Sequence, residues 1–202
     1  MKINTKLCLL LVLLLSMTNS LAENKKKGSP TPMVDGSCSE YGNLETKTFE
    51  LPNNIKLNFY QNADFVWFCY SHNKESYSWL DLEVSAPNIK HPINLHVSAQ
   101  LGEWPLNNPE QKPTLPESDL WWNNVGWIAN TNRWNGSMTM GEQTFPKFKP
   151  STAREIQLSK DRFGTGKWHV RFKINNVFDV NGKFINVEYP ISEKSLLLDI
   201  TN

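Results

Sequence analysis

Beyond about residue 46 the chain alternates hydrophobic and polar positions with a period of two, and no apolar period of 3.6 persists over three turns. That pattern predicts strands. Residues 48–51 and 55–60 are two short candidates joined at Pro52-Asn53-Asn54, while 65–70 is apolar on both parities, as in a central strand covered on both faces. In 78–85, Leu80, Leu82 and Val84 point one way and Trp79, Asp81 and Glu83 the other. The run 93–101 reads as one longer strand, with Ile93, Leu95, Val97, Ala99 and Leu101 inward and Asn94, His96, Ser98 and Gln100 outward. The same logic turns Trp168, Val170, Phe172 and Ile174 inward and Lys167, His169, Arg171 and Lys173 outward. Further strands are expected at 125–129, 154–158 and 195–200. About nine strands without helical crossovers predict a single all-β domain over 38–202, an antiparallel, jelly-roll-like β-sandwich. From Trp104 to Thr152, six prolines break the pattern, and long Trp-rich loops are expected over the sandwich edge.

The amino terminus reads differently. Residues 1–22 combine Lys2 and Lys6, an apolar run at 7–15 and a small-residue site ending at Ala22, the pattern of a signal peptide. The apolar run is too short for a membrane span, which needs about 20 residues. Residues 23–37, with Lys25-Lys26-Lys27, Gly28, Pro30 and Pro32, hold almost nothing apolar and read as a flexible leader. Export also fixes the cysteine arithmetic. Removal of 1–22 takes Cys8 and leaves Cys38 and Cys69, for which a disulfide is the simplest state in an oxidising compartment. The alternative is two free thiols, with Cys69 buried in its strand. A secreted or periplasmic protein follows.

Charge excludes one class of partner. The whole chain carries 21 Lys and Arg against 20 Asp and Glu, so it has no footprint for a phosphate backbone or an anionic membrane. Neither nucleic acid nor membrane insertion is expected.

The candidate chemistry is that of binding. If 78–85 pairs with 93–101, then Trp79, Asp81 and Glu83 share a sheet face with Asn94, His96, Ser98 and Gln100. An aromatic ring beside planar polar groups suits a sugar, which offers an apolar C–H face for stacking and hydroxyls that donate and accept. The competing reading is the plain solvated face of a half-exposed sheet. Five of eight tryptophans (Trp104, Trp121, Trp122, Trp127, Trp134) fall in the loop-rich stretch among Asn107, Asn108, Asn123, Asn124, Asn130, Asn132, Arg133 and Asn135. Adjacent Trp121 and Trp122 cannot both face inward on an extended chain, so at least one is expected at the surface as a ring platform. The four histidines have no metal-ligand spacing; Asp64, Asp81 and Glu83 leave a structural calcium open, and no other cofactor is expected. Glu103, Glu117, Asp119 and Glu142 are carboxylates available to a glycoside hydrolase, but no spacing marks a pair.

The order of segments resembles that of family 9 carbohydrate-binding modules and the related DOMON-like sandwiches. The resemblance is carried by residues 65–70 followed by Trp79-Leu80-Asp81-Leu82-Glu83-Val84, and by Arg154-Glu155-Ile156-Gln157-Leu158 leading into residues 163–172. It implies a jelly-roll-like sandwich that holds a sugar between two aromatic rings, with amides and charged groups on its hydroxyls and a structural calcium nearby. The expectation is therefore a secreted, non-catalytic domain that binds poly- or oligosaccharide through Trp121, Trp122, Trp79, Asp81, Glu83, Asn94, His96 and Gln100. Two alternatives stand beside it: an enzyme acting on polysaccharide, and an adhesion or scaffold module that binds protein.

Overall fold

A computed structural model describes residues 30–130, 134–192 and 194–202. The expected signal peptide, residues 1–22, lies outside them. A five-stranded sheet is built from β1 (Lys47–Leu51), β2 (Ile55–Gln61), β3 (Phe65–Ser76), β10 (Ser151–Ser159) and β7 (Trp127–Ala129), in that spatial order. A six-stranded sheet runs β12 (Phe184–Tyr189), β11 (Gly166–Phe178), β4 (Trp79–Ser85), β5 (Ile93–Val97) and β6 (Leu101–Pro105), with β13 (Leu196–Ile200) also paired to β11. A separate hairpin joins β8 (Trp134–Met140) to β9 (Gln143–Phe148), and a single helical turn, α1 (Lys160–Phe163), follows β10. Every ladder is antiparallel. The fold is the expected all-β sandwich.

The alternation of the sequence explains the core. Val66, Phe68, Tyr70, Ile156 and Leu158 of one sheet face Leu80, Leu82, Val84, Leu95, Val170, Phe172 and Ile174 of the other, all buried. Phe68 meets Phe172 edge-on across the layers, with ring centroids 5.2 Å apart. β3 is also covered on its outer side, where Tyr41, Tyr60, Trp67 and Cys69 form a second buried cluster under Val34, Cys38 and Leu44. The disulfide joins Cys38 to Cys69 as expected. Residues 30–37, polar enough to read as leader, are tied down here. Tyr60 donates to the Pro30 carbonyl (2.8 Å), and the Asp35 and Gly36 amides donate to Glu155 (3.1 and 3.2 Å).

Three departures from the sequence pattern bear on the site. The run 93–101 is a hairpin, not one strand: Ser98 Oγ accepts from the Gln100 amide (3.1 Å) and donates to its carbonyl (3.0 Å), closing a turn at 98–100. Gln100 therefore leaves the polar row, and its side-chain amide donates to the Pro116 carbonyl (2.9 Å). Within the stretch expected as loop, β8 and β9 pair although their described side chains are mostly exposed, Met138, Met140 and Phe145 among them. β12 is an edge strand whose register on β11 is broken between Ile174 and Val177.

Candidate functional site

The outer face of the six-stranded sheet is where the two sequence signals meet. Cross-strand pairing sets rows of side chains: Asn175 opposite Trp79; Lys173, Asp81, His96 and Gly102 in a line; Arg171, Glu83, Asn94 and Trp104 in the next. Successive rows are about 7 Å apart along the strands. Asp81 sits at the centre. Its Oδ1 accepts from His96 Nδ1 (2.7 Å) and Asn94 Nδ2 (3.1 Å), and its Oδ2 accepts from Asn175 Nδ2 (3.3 Å). Burial alone would raise the Asp81 carboxyl, but the His96 and Asn94 contacts outweigh it and hold the group below the usual carboxylate range. Asp81 is thus a fixed anionic acceptor. In the next row Glu83 pairs with Lys173, and Arg171 pairs with Glu188 of β12.

The rings arrive from the other side. Trp104 ends its row, buried, with its ring centroid 6.0 Å from that of His96. Trp121 comes from the long loop after β6 and lies 5.4 Å, centroid to centroid, from His96. Its indole N–H donates to the Leu115 carbonyl (2.9 Å), and its backbone bridges to Gly102. Gly102 makes this approach possible, because a Cβ there would lie 2.8 Å from a Trp121 ring carbon. A glycine inside an alternating run signals such close contact.

The other tryptophans divide by role. Trp122 is 53% exposed and takes a left-handed backbone (φ 67°) that turns the chain after Trp121. Trp127 is in the core. Its indole donates to Glu103 Oε2 (2.7 Å), and Arg162 of α1 grips the same carboxylate with both Nη atoms (2.5 and 2.6 Å). Glu103 is therefore a clamp between the edge strands of the two sheets. Asn132 and Arg133 lie outside the described residues. Among the described residues, no three His, Cys, Asp or Glu side chains converge where a cation could sit. No helix among them is long and apolar enough to cross a membrane.

Of the residues singled out in the sequence, the structure brings Trp79, Asp81, Glu83, Asn94, His96 and Trp121 to one face and leaves Gln100 in a turn beside it. Sequence reasoning missed Asn175. The alternation of β11 marked its outward side, but not which strand it would pair with.

No family model matches the chain, and no curated protein matches it. Among solved structures, it is similar to a candidate carbohydrate-binding protein from Bacteroides uniformis ATCC 8492, at 11% identity over 80% of this chain and 86% of that one, with a TM-score of 0.44. It is also similar to a family 9 carbohydrate-binding module from Caldicellulosiruptor kristjanssonii, solved in complex with glucose, at 10% identity over 80% of this chain and 82% of that one, with a TM-score of 0.40.

Proposed function

We propose that this protein is exported and serves as a non-catalytic carbohydrate-binding domain, with its site on the outer face of the six-stranded sheet. The observation that carries the reading is the placement of Trp121 and His96 rings beside the half-buried Asp81, Asn175 and Lys173, with Asn94 buried behind Asp81 and donating to it. A pyranose needs one apolar surface and several acceptors and donors in fixed directions, and this face supplies both. Stacking contributes about 1 kcal/mol per ring beyond area burial and each polar contact about 1 more, enough for micromolar to millimolar affinity. Two rings and three polar groups suffice.

Non-catalytic binding is favoured over hydrolysis by how the carboxylates are used. Asp81 accepts three side-chain bonds, Glu83 is paired with Lys173, and Glu103 is clamped by Arg162 and Trp127. Glu83 and Glu103 are spent on bonds within the chain, while Asp81, held ionised, keeps room for a further donor but carries no proton to give a leaving group. The disulfide and the amino-terminal signal pattern support export.

Tryptophan emission and calorimetric titration with neutral mono- and oligosaccharides test the reading. Some member of the panel binds, and Trp121→Ala lowers its affinity about tenfold, the value of roughly 1.4 kcal/mol. Trp122→Ala has the smaller effect. Silence from every sugar, or unchanged affinity in Trp121→Ala, defeats the proposal.

A further inference from the structure

The same sheet face holds a second feature one row beyond the site. A small cavity of about 140 Å³ is lined by Glu83, Ser85, His169, Arg171, Lys194 and Ser195, with Pro92 and Leu106 at its β5–β6 end. A whole-ligand pocket usually measures about 300–1,000 Å³, so this one suits a substituent rather than a ring. Its lining is basic. Arg171, Lys194 and His169 stand against Glu83, and the Glu83 carboxylate is engaged by Lys173 from the neighbouring row.

Arg171 also has donors to spare. Its Nη2 pairs with Glu188, its Nη1 lies 4.0 Å from Glu83, beyond hydrogen-bond distance, and its buried Nε has no partner. A guanidinium presents five donors in a fork that matches a carboxylate or sulfate. Ser195 Oγ, 3.0 Å from His169 Nδ1, and Ser85 add hydroxyls to the same lining. An anionic group placed here would meet charge and donors together.

We infer that the ligand is an acidic saccharide, whose neutral ring lies on the Trp121–Asp81 row while its carboxylate or sulfate enters the Arg171–Lys194 pocket. The inference rests on the sugar-binding reading of the face. Its geometry follows from the sheet: Glu83 and Arg171 occupy the row next to Asp81, and Ser85 and His169 the row after that, so ring and anion are about 7–14 Å apart along β4. A neighbouring sugar unit, or a substituent on it, spans that distance.

A panel of neutral oligosaccharides, each paired with its hexuronate-terminated and O-sulfated forms, decides the matter with the full-length exported protein. At low salt an acidic member binds about tenfold more tightly than its neutral partner, and the gap narrows as salt rises. Whether uronate or sulfate ester gains more identifies the anion. Arg171→Gln and Lys194→Gln each remove the preference, and Lys194→Gln leaves neutral-sugar affinity within twofold. Equal binding of neutral and acidic forms overturns the pocket while the sugar-binding face stands. A preference that survives both variants also overturns it. Binding of no member overturns the sugar reading and this inference with it.

Discussion

Glu155 of β10 stands opposite Cys69 of the disulfide and holds residues 35–41 onto the five-stranded sheet. Its Oε2 accepts from two backbone amides and its Oε1 from the Tyr41 hydroxyl (2.5 Å). Burial nevertheless dominates and pushes its carboxyl up to about 7; the Tyr41 and Gly36 bonds pull it down, and Glu40 and Asp35 add to the rise. The Tyr41 phenol is driven upward by the same burial and by Glu155 itself. A raised carboxyl binds its proton more tightly in the folded chain than in the unfolded one. Stability from this group is therefore full below about pH 4.5 and falls as pH rises through about 7. The loss is on the order of 3 kcal/mol. Glu155→Gln removes the titration, since its carbonyl can face the amides while its NH2 donates to the Tyr41 oxygen. Denaturant unfolding should show wild type losing stability relative to Glu155→Gln between pH 5 and 8, and a constant difference would refute the assignment.

At the scale of elements, the β5–β6 hairpin organises the site. Its turn frees Gly102 to pair with His96, Gly102 admits Trp121, and Glu103 on the opposite side fastens β6 to β7 and α1. Two substitutions separate these roles. Gly102→Ala drives a methyl into the Trp121 ring, so the fold survives while sugar affinity and Trp emission change together. Glu103→Gln leaves Arg162 short of its charged partner and costs about 1–3 kcal/mol in thermal or chemical unfolding. A Gly102→Ala protein with native affinity, or a Glu103→Gln protein with native stability, would show these links to be absent. The hairpin also shows what the sequence could carry. Strands with one buried face were legible because packing enforces the period of two, as at Leu80-Asp81-Leu82-Glu83-Val84. The turn at 98–100 was not, because Ser98, Ala99 and Gln100 continue the parity of β5 while local hydrogen bonds break the strand. β8 and β9 lack a buried face to impress a pattern on them, and β12 turns only Ile185, Val187 and Tyr189 to the core, a run too short to stand out. The polar row was readable from β4 and β5 alone, whereas Asn175 and the choice of Trp121 over Trp122 depend on pairings between segments distant in sequence.

The whole molecule uses its two outer faces unequally. On the five-stranded sheet, residues 30–44 cover Tyr60, Trp67 and Cys69, and the disulfide locks that cover in place. On the six-stranded sheet the loop carrying Trp121 reaches one end, and Trp79, Asp81, Glu83, His96, Arg171, Lys173 and Asn175 remain half-exposed while Asn94 and Trp104 are buried. The proposed site and the disulfide thus lie on opposite outer faces of the sandwich. Removing the bridge frees a 31-residue separation in the unfolded chain, which weakens the fold by roughly 3–4 kcal/mol on the chain-entropy account. For a domain of this size that is a fall of about 10 °C in melting temperature. The paired variant Cys38→Ala with Cys69→Ala should therefore melt earlier in calorimetry yet bind sugar with unchanged affinity well below its transition, because Asp81, His96 and Trp121 take no support from the covered face. Lost affinity in a variant that circular dichroism shows to be folded would place the covered face in the site and overturn this division.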